Sequence, residues 1–283
     1  FEFNQDICDC DGNLDLGCGC GEPALEENFD CDGNCLSEVD CNGDCGGGAV
    51  VDCDGVCGGD SVELWGQCYD VETEILDLEG QILSSTIPPE IGNLINLTVL
   101  NLSGAILNGS IPEEIGNLEN LKELILTNNA FHSALPVEIN NLISLEILDL
   151  SDNFFFGPLS SQIENLSNLT ILNLHDNSFD GEIPLELGSI MSLEMVDISD
   201  NEFSGEIPEE LGLGIIQFLS LGENNFSGVL PESLCNVAEL NISQNSLCPP
   251  YPDCLNEEDI GYQDTSNCGQ NNIEVVFQSD WNL

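Results

Sequence analysis

Leu97, Leu121, Leu145, Leu169 and Leu193 stand in one column, each 24 residues after the last. Three positions on come Leu100, Leu124, Leu148, Leu172 and Val196, and two further on Leu102, Leu126, Leu150, Leu174 and Ile198. The same period carries an asparagine (Asn129, Asn153, Asn177, Asn201, Asn224, Asn245) and a phenylalanine (Phe131, Phe155, Phe179, Phe203, Phe226). A strict period of this size marks a solenoid, in which each repeat touches only its neighbours. One copy offers about seven large apolar side chains, among them Leu97, Leu100, Leu102, Leu107 and Ile111. Their full burial contributes up to roughly 10–20 kcal/mol, and only stacked copies bury them on both sides. The repeats therefore stand or fall as an array.

The copy that starts at Leu97 reads Leu-Thr-Val-Leu-Asn-Leu-Ser-Gly-Ala-Ile-Leu-Asn-Gly-Ser-Ile-Pro-Glu-Glu-Ile-Gly-Asn-Leu. It resembles the 24-residue leucine-rich repeat of the plant-type class, and the resemblance extends from about Thr73 to Cys248. That implies an α/β solenoid rich in β-structure, a right-handed coil with a parallel sheet on its concave side. In the family the column asparagine ties the loop backbone beneath it, so the coils with Gln81 and Ala105 in that column are expected to be looser. The chain reads as residues 1–70, a Cys/Asp/Gly-rich segment with an N-terminal cap; 71–247, a solenoid of about eight coils; and 248–283, a Cys/Pro cap with a β-prone tail. Trp65 and Cys68 are expected to plug the first coil.

Lys122 is the only lysine or arginine, against 53 acidic residues, and the net charge is -52. No cationic patch exists to release counterions, which excludes nucleic acid and anionic membranes as partners. Self-repulsion on this scale opposes the compact state unless bound cations, ionic strength or low pH relieve it. Calcium is the expected cofactor. Fifteen cysteines point to an oxidising, extracellular or cell-surface setting. No apolar run approaches 18 residues, so no membrane-spanning helix is expected.

Residues 1–68 hold eleven of the cysteines and few large apolar residues, so crosslinks or metal must order them. Short units repeat there: Asp30 to Cys35, Asp40 to Cys45 and Asp52 to Cys57, with an earlier relative from Asp9 to Asp15. An extended Cys-x-x-x-Cys spans roughly 13 Å, too far for a disulfide, whose Cα atoms lie about 4.4–6.8 Å apart. Either Cys31–Cys35, Cys41–Cys45 and Cys53–Cys57 each close a tight turn, or bridges run between successive units. Hard oxygen donors alternate with these cysteines at Asp30, Asp32 and Asn34, at Asp40, Asn42 and Asp44, and at Asp52 and Asp54. Asp9, Asp11, Asn13 and Asp15 extend the pattern, as a calcium loop requires. The segment loosely resembles thrombospondin type 3 calcium repeats and bacterial surface-protein arrays. Disulfide-knit turns with solvated acids, and zinc on the cysteine pairs, are the alternatives. At the other end Cys235, Cys248, Cys254 and Cys268 are expected to staple a lid over the last coil.

Strand alternation aims the positions beside the Leu-x-Leu core at the concave side. One column there includes Asp149, Asn173 and Asp197, and another includes Asp152, Asp176 and Asp200. Val99, Ile147, Ile171, Met195 and Phe218 form an apolar strip beside them. His175 lies between Ser151 and Ser199 with Asp176 adjacent, but a flat sheet offers neither pocket nor oxyanion donors for a hydrolytic triad. The chain is read as a non-enzyme. Seven Asn-x-Ser/Thr sequences occur, at Asn96, Asn101, Asn108, Asn165, Asn168, Asn225 and Asn241. Near the end, Ile273, Val275, Val276, Phe277 and Trp281 make a strand-like apolar segment suited to assembly.

Three functional readings follow. The first is a secreted or cell-surface structural protein that self-associates into a homo-oligomer or polymer through terminal strands and solenoid faces, braced by disulfides and calcium. The second is an extracellular recognition or adhesion module with a protein or glycan on its concave face. The third is an inhibitor of an extracellular enzyme, as in plant polygalacturonase inhibitors that share the repeat.

Overall fold

Leu76, Leu100, Leu124, Leu148, Leu172, Val196, Leu219 and Leu240 are the central residues of eight three-residue strands, from Ile75–Asp77 to Glu239–Asn241. These pair in parallel, in sequence order, into one sheet. The computed structural model describes residues 35, 37–83 and 85–269. The chain divides into two units, Phe1–Asp70 and Val71–Leu283, and the solenoid is the second.

Each strand ends because the backbone turns left-handed three residues later. The turn falls at Asn128 (φ 56°), Asp152 (54°), Asp176 (52°) and Asp200 (56°), with Gly104 and Glu223 at the equivalent places. Asparagine and aspartate tolerate that region best among residues with a side chain. The chain then crosses to a second parallel sheet of five strands, Phe156–Gly157, Ser178–Glu182, Glu202–Gly205, Asn225–Val229 and Ser246–Cys248. It returns through short 3-10 helices, such as Glu113–Asn117 and Leu185–Ser189, most of them entered by a proline whose φ already suits the first turn. Glycine sets how closely these helices stack. A Cβ on Gly116 would lie 2.8 Å from the Glu138 carbonyl oxygen of the next coil.

Between the two sheets the repeated leucines and isoleucines are buried. The phenylalanine column becomes a continuous stack: Phe131, Phe155, Phe179, Phe203 and Phe226 follow one another at 5.4, 6.1, 6.0 and 6.3 Å between ring centroids, within 17° of parallel. Each ring covers its neighbour, and such pairs contribute about 0.5–1.5 kcal/mol beyond area burial.

The asparagine column ties coil to coil. Asn177 accepts the Phe155 N–H at 2.9 Å and donates to the carbonyls of Leu150, Leu174 and His175 at 3.0–3.2 Å. Where Ala105 replaces the asparagine, a backbone bond from Leu83 N–H to the Ala105 carbonyl, 3.0 Å, takes its place. Ala105 is itself fully buried.

Two disulfides, Cys235–Cys254 and Cys248–Cys268, fasten the segment that follows the last coil. Tyr262 and Gln263 then supply acceptors and donors to the final edge: Gln244 N–H reaches the Tyr262 carbonyl at 2.7 Å, and Gln263 Nε2 reaches the Ile242 carbonyl at 2.7 Å. The end of the array is thereby covered rather than left as an open apolar section.

Candidate functional site

The eight-stranded sheet presents its first and third strand residues to the outside. Ile147, Ile171, Met195 and Phe218 are neighbours in register on four successive strands, and all four are half-buried. Parallel strands sit about 4.8 Å apart, so these side chains form one apolar row. Asp149, Asn173, Asp197 and Ser220 run alongside at the third strand position. Asp152, Asp176, Asp200 and Glu223, at the left-handed turns, are exposed and edge the row with carboxylates. Glu123 interrupts the row at the third strand, which confines it to the later coils.

The polar columns are tied together locally. Asp149 Oδ1 accepts both the Ser151 N–H at 3.0 Å and the Ser151 hydroxyl at 2.7 Å, and Thr127 and Ser151 hydroxyls meet at 2.9 Å. Asp197 does the same for Ser199, whose hydroxyl lies 2.5 Å from Oδ1. His175 Nδ1 lies 3.1 Å from the Ser199 hydroxyl oxygen. The serine thus stands between the carboxylate and the imidazole, whereas a hydrolytic triad needs the imidazole in the middle. Asp176 makes no part of this group. The arrangement fixes side chains in place on the sheet face and lacks the order that a triad uses to activate a nucleophile.

Lys122 on the same sheet donates to Glu146 at 2.8 Å, and that carboxylate raises the lysine's proton affinity. Sheet carboxylates such as Asp149 and Asp197 accept from their own turn and keep further lone pairs directed outward.

The Cys/Asp-rich unit is built on different chemistry. Its described disulfides are Cys35–Cys45, Cys41–Cys57 and Cys53–Cys68. The first two join successive units and the third ties the last unit to the strand Gln67–Tyr69, so neither Cys41–Cys45 nor Cys53–Cys57 closes its own turn; Cys31 lies outside the described residues. Asp40 Oδ1 accepts the N–H groups of Asn42 at 3.0 Å and Asp44 at 2.9 Å, and its Oδ2 that of Ala49 at 3.2 Å. Asp52 repeats this with Asp54, Val56 and Ser61. Hydrogen bonds from Asp44 and Val56, respectively, are the main reason both carboxyls lie below their ordinary range.

These two aspartates act as turn anchors, and among the described residues from 35 to 61 no large apolar side chain is buried. Asn42, Asp44 and Asp54 are exposed. Among the described residues no group of three His, Cys, Asp or Glu is placed to hold a metal ion. Asp9, Asp11, Asn13, Asp15, Asp30, Asp32 and Asn34 lie outside the described residues, as do Ile273, Val275, Val276, Phe277 and Trp281. Trp65 sits in the turn between the antiparallel strands Val62–Leu64 and Gln67–Tyr69, where its φ is 49°. Among the described residues no helix is long and apolar enough to cross a membrane.

With the stacked coils, the ladder and the open sheet face in view, the comparisons are direct. The profile of the leucine-rich repeat region matches residues 73–242. The chain belongs to the leucine-rich repeat family. Among solved structures, the leucine-rich repeat chain resembles the Arabidopsis receptor kinase HAESA, solved with the peptide hormone IDA and the co-receptor SERK1. Identity is 31% over 68% of this chain and 33% of that one, with a TM-score of 0.61. The plant peptide hormone receptor RGFR1, in complex with RGF2, is 35% identical over 58% of this chain and 27% of that chain, with a TM-score of 0.56. The ectodomain of the receptor kinase GASSHO1/SCHENGEN3 from Arabidopsis thaliana, in complex with CASPARIAN STRIP INTEGRITY FACTOR 2, is 37% identical over 58% and 20% of the two chains, with a TM-score of 0.55. The chain therefore spans a third or less of these receptors' length. No curated protein matches it.

Sequence reasoning missed two sets of residues. The turn-anchoring role of Asp40 and Asp52 was hidden by their likeness to metal ligands. A second set, Asn96, Asn120, Asn168 and Asn236, donates across coils to the carbonyls of Val71, Ile95, Ile143 and Gly212. Their spacing of whole repeats was the available signal.

Proposed function

We propose that this leucine-rich repeat chain is an extracellular recognition module whose concave sheet binds an extended polypeptide carrying cationic groups. The observation that carries this reading is the half-buried row Ile147, Ile171, Met195 and Phe218, bordered by the exposed carboxylates of Asp152, Asp176, Asp200 and Glu223. An apolar side chain of the partner seats on the row while lysines or arginines meet the border. A chain with one lysine and 53 acids selects partners of opposite charge and accelerates their encounter. The resemblance to plant receptors solved in complex with their ligands, a peptide hormone in the case of HAESA, supports a polypeptide partner. Three disulfides in the first unit and two after the last coil suit life outside the cell.

The self-association reading draws on the strand-like residues 273–281, which lie outside the described residues, and on the odd number of cysteines. No described feature matches an enzyme's cleft, as inhibition would need. The recognition reading is tested by panning a random displayed-peptide library against the full chain. Enriched sequences are expected to pair Lys or Arg with a large apolar residue, and to lose retention on a chain carrying Met195→Arg. Enrichment of acidic sequences, or equal retention on that variant, would overturn it.

A further inference from the structure

The seven Asn-x-Ser/Thr sequences fall into two chemically distinct groups. In four of them both the asparagine amide and the hydroxyl two residues on are engaged. Asn96 Nδ2 donates to the Val71 carbonyl at 2.9 Å and Thr98 Oγ1 to that of Glu74 at 3.0 Å. Asn168 and Thr170 repeat the pair on Ile143 and Glu146, at 2.7 and 2.9 Å. Asn101 Oδ1 accepts from the Ser103 hydroxyl at 2.6 Å, and Asn241 Oδ1 from that of Ser243 at 2.8 Å, both within the concave sheet. Asn120 and Asn236 make the same inter-coil bond as Asn96 without being followed by a hydroxyl residue at the second position. That column holds asparagine for the coil's sake, and the sequence match there is a by-product of the template.

The other three are unlike these. Asn108, Asn165 and Asn225 are exposed, and so are Ser110, Ser167 and Ser227. None of these six side chains has a hydrogen bond in the described structure, although their main chains are held in place. Asn108 and Asn225 open strands on the second-sheet side, and Asn165 ends a 3-10 helix.

We propose that Asn108, Asn165 and Asn225 carry N-linked glycans and that Asn96, Asn101, Asn168 and Asn241 do not. The donor is a polyprenyl-pyrophosphate-linked oligosaccharide. Asn Nδ2 attacks its first sugar carbon, the N–C bond forms, the C–O bond to pyrophosphate breaks, the lipid pyrophosphate departs, and the amide gives up one proton. The transferase needs the amide and the following hydroxyl at once. Asn168 Nδ2 bonds the Ile143 carbonyl of the preceding coil at 2.7 Å, so a glycan on that nitrogen would crowd the bond, and a chain modified there closes its ladder poorly and leaves the secreted pool. None of the three free sites lies on the concave sheet. The recognition face stays bare, and the assignment is independent of what that face binds.

The test is site-by-site mass spectrometry of the full chain secreted from a eukaryotic host. Enzymatic removal of glycans in heavy-oxygen water marks each formerly modified asparagine, after cleavage at glutamate because Lys122 is the lone tryptic site. Label is expected in most molecules at Asn108, Asn165 and Asn225, and in under about a tenth at the other four. N108Q, N165Q and N225Q should each remove one glycan at unchanged secretion, whereas N168Q should lower secretion and leave the glycan number alone. Label in most molecules at any of the four engaged sites, or its absence at the three free ones, would overturn the proposal.

Discussion

Asn153 Nδ2 lies 3.0 Å from the carbonyl oxygen of Leu126, 27 residues earlier, while its Oδ1 accepts the Phe131 N–H at 3.1 Å. A single amide thus joins two coils and closes its own turn through the Leu150 and Ser151 carbonyls. It is 5% exposed, so water does not replace these bonds when the side chain is removed.

Asn153→Ala is expected to lower unfolding stability by about 3 kcal/mol, from buried polar groups left unpaired. Asn153→Asp should cost more, because an oxygen then faces three carbonyls where a donor stood. Urea unfolding followed by circular dichroism measures both. Equal stability of the aspartate variant and the parent would show that the ladder adds nothing.

Phe179 is stacked on both sides, by Phe155 at 6.1 Å and Phe203 at 6.0 Å. Phe179→Ala opens a cavity in the middle of the array and is predicted to cost about 3–5 kcal/mol. Phe226→Ala, stacked on Phe203, removes one face of contact instead of two and should cost less. Calorimetry on the two variants reads the difference, and a reversed order would contradict the stack.

Asp40 and Asp52 predict how the first unit responds to acid. Both carboxyls lie below the ordinary aspartate range in the folded chain because backbone N–H groups bond the ionised form. A depressed pKa contributes stability that is present above the unfolded value and is lost as pH falls through the folded one. Amide exchange at Val56 and Ser61 should therefore stay slow down to about pH 4 and rise steeply below it. Asp52→Ala should give the fast exchange already at neutral pH. Protection unchanged from pH 7 to pH 2 would remove the anchoring role.

The coil was legible because its period forces it: one spacing of 24 residues places Leu148 beside Leu124 and Phe155 beside Phe131 whatever else the chain contains. The apolar row on the sheet was legible for the same reason, since strand alternation decides which side Ile171 and Met195 take. The role of Asp52 was not. An aspartate ahead of Cys-x-Gly serves equally as a metal donor and as a turn acceptor, and the Ser61 N–H that it accepts lies nine residues away. Cysteine spacing likewise left open Cys41–Cys57, whose Cα atoms come to 5.4 Å only once two turns are laid side by side. Asparagine before a hydroxyl residue carried two meanings, template and acceptor, that only the folded chain's hydrogen bonds separate, since Asn168 and Asn241 are as exposed as Asn108.

Recognition on the concave sheet is the central claim, and the affinity of a peptide enriched against the full chain, measured by titration calorimetry, tests it most directly. Met195→Arg should weaken binding at least tenfold, while Leu185→Arg, on a 3-10 helix away from the sheet and 54% exposed, should leave it within twofold. Raising salt from 50 to 500 mM should weaken the parent complex further, because exposed charge pairs are screened. Loss of binding with Leu185→Arg and retention with Met195→Arg would place the site elsewhere and contradict the account.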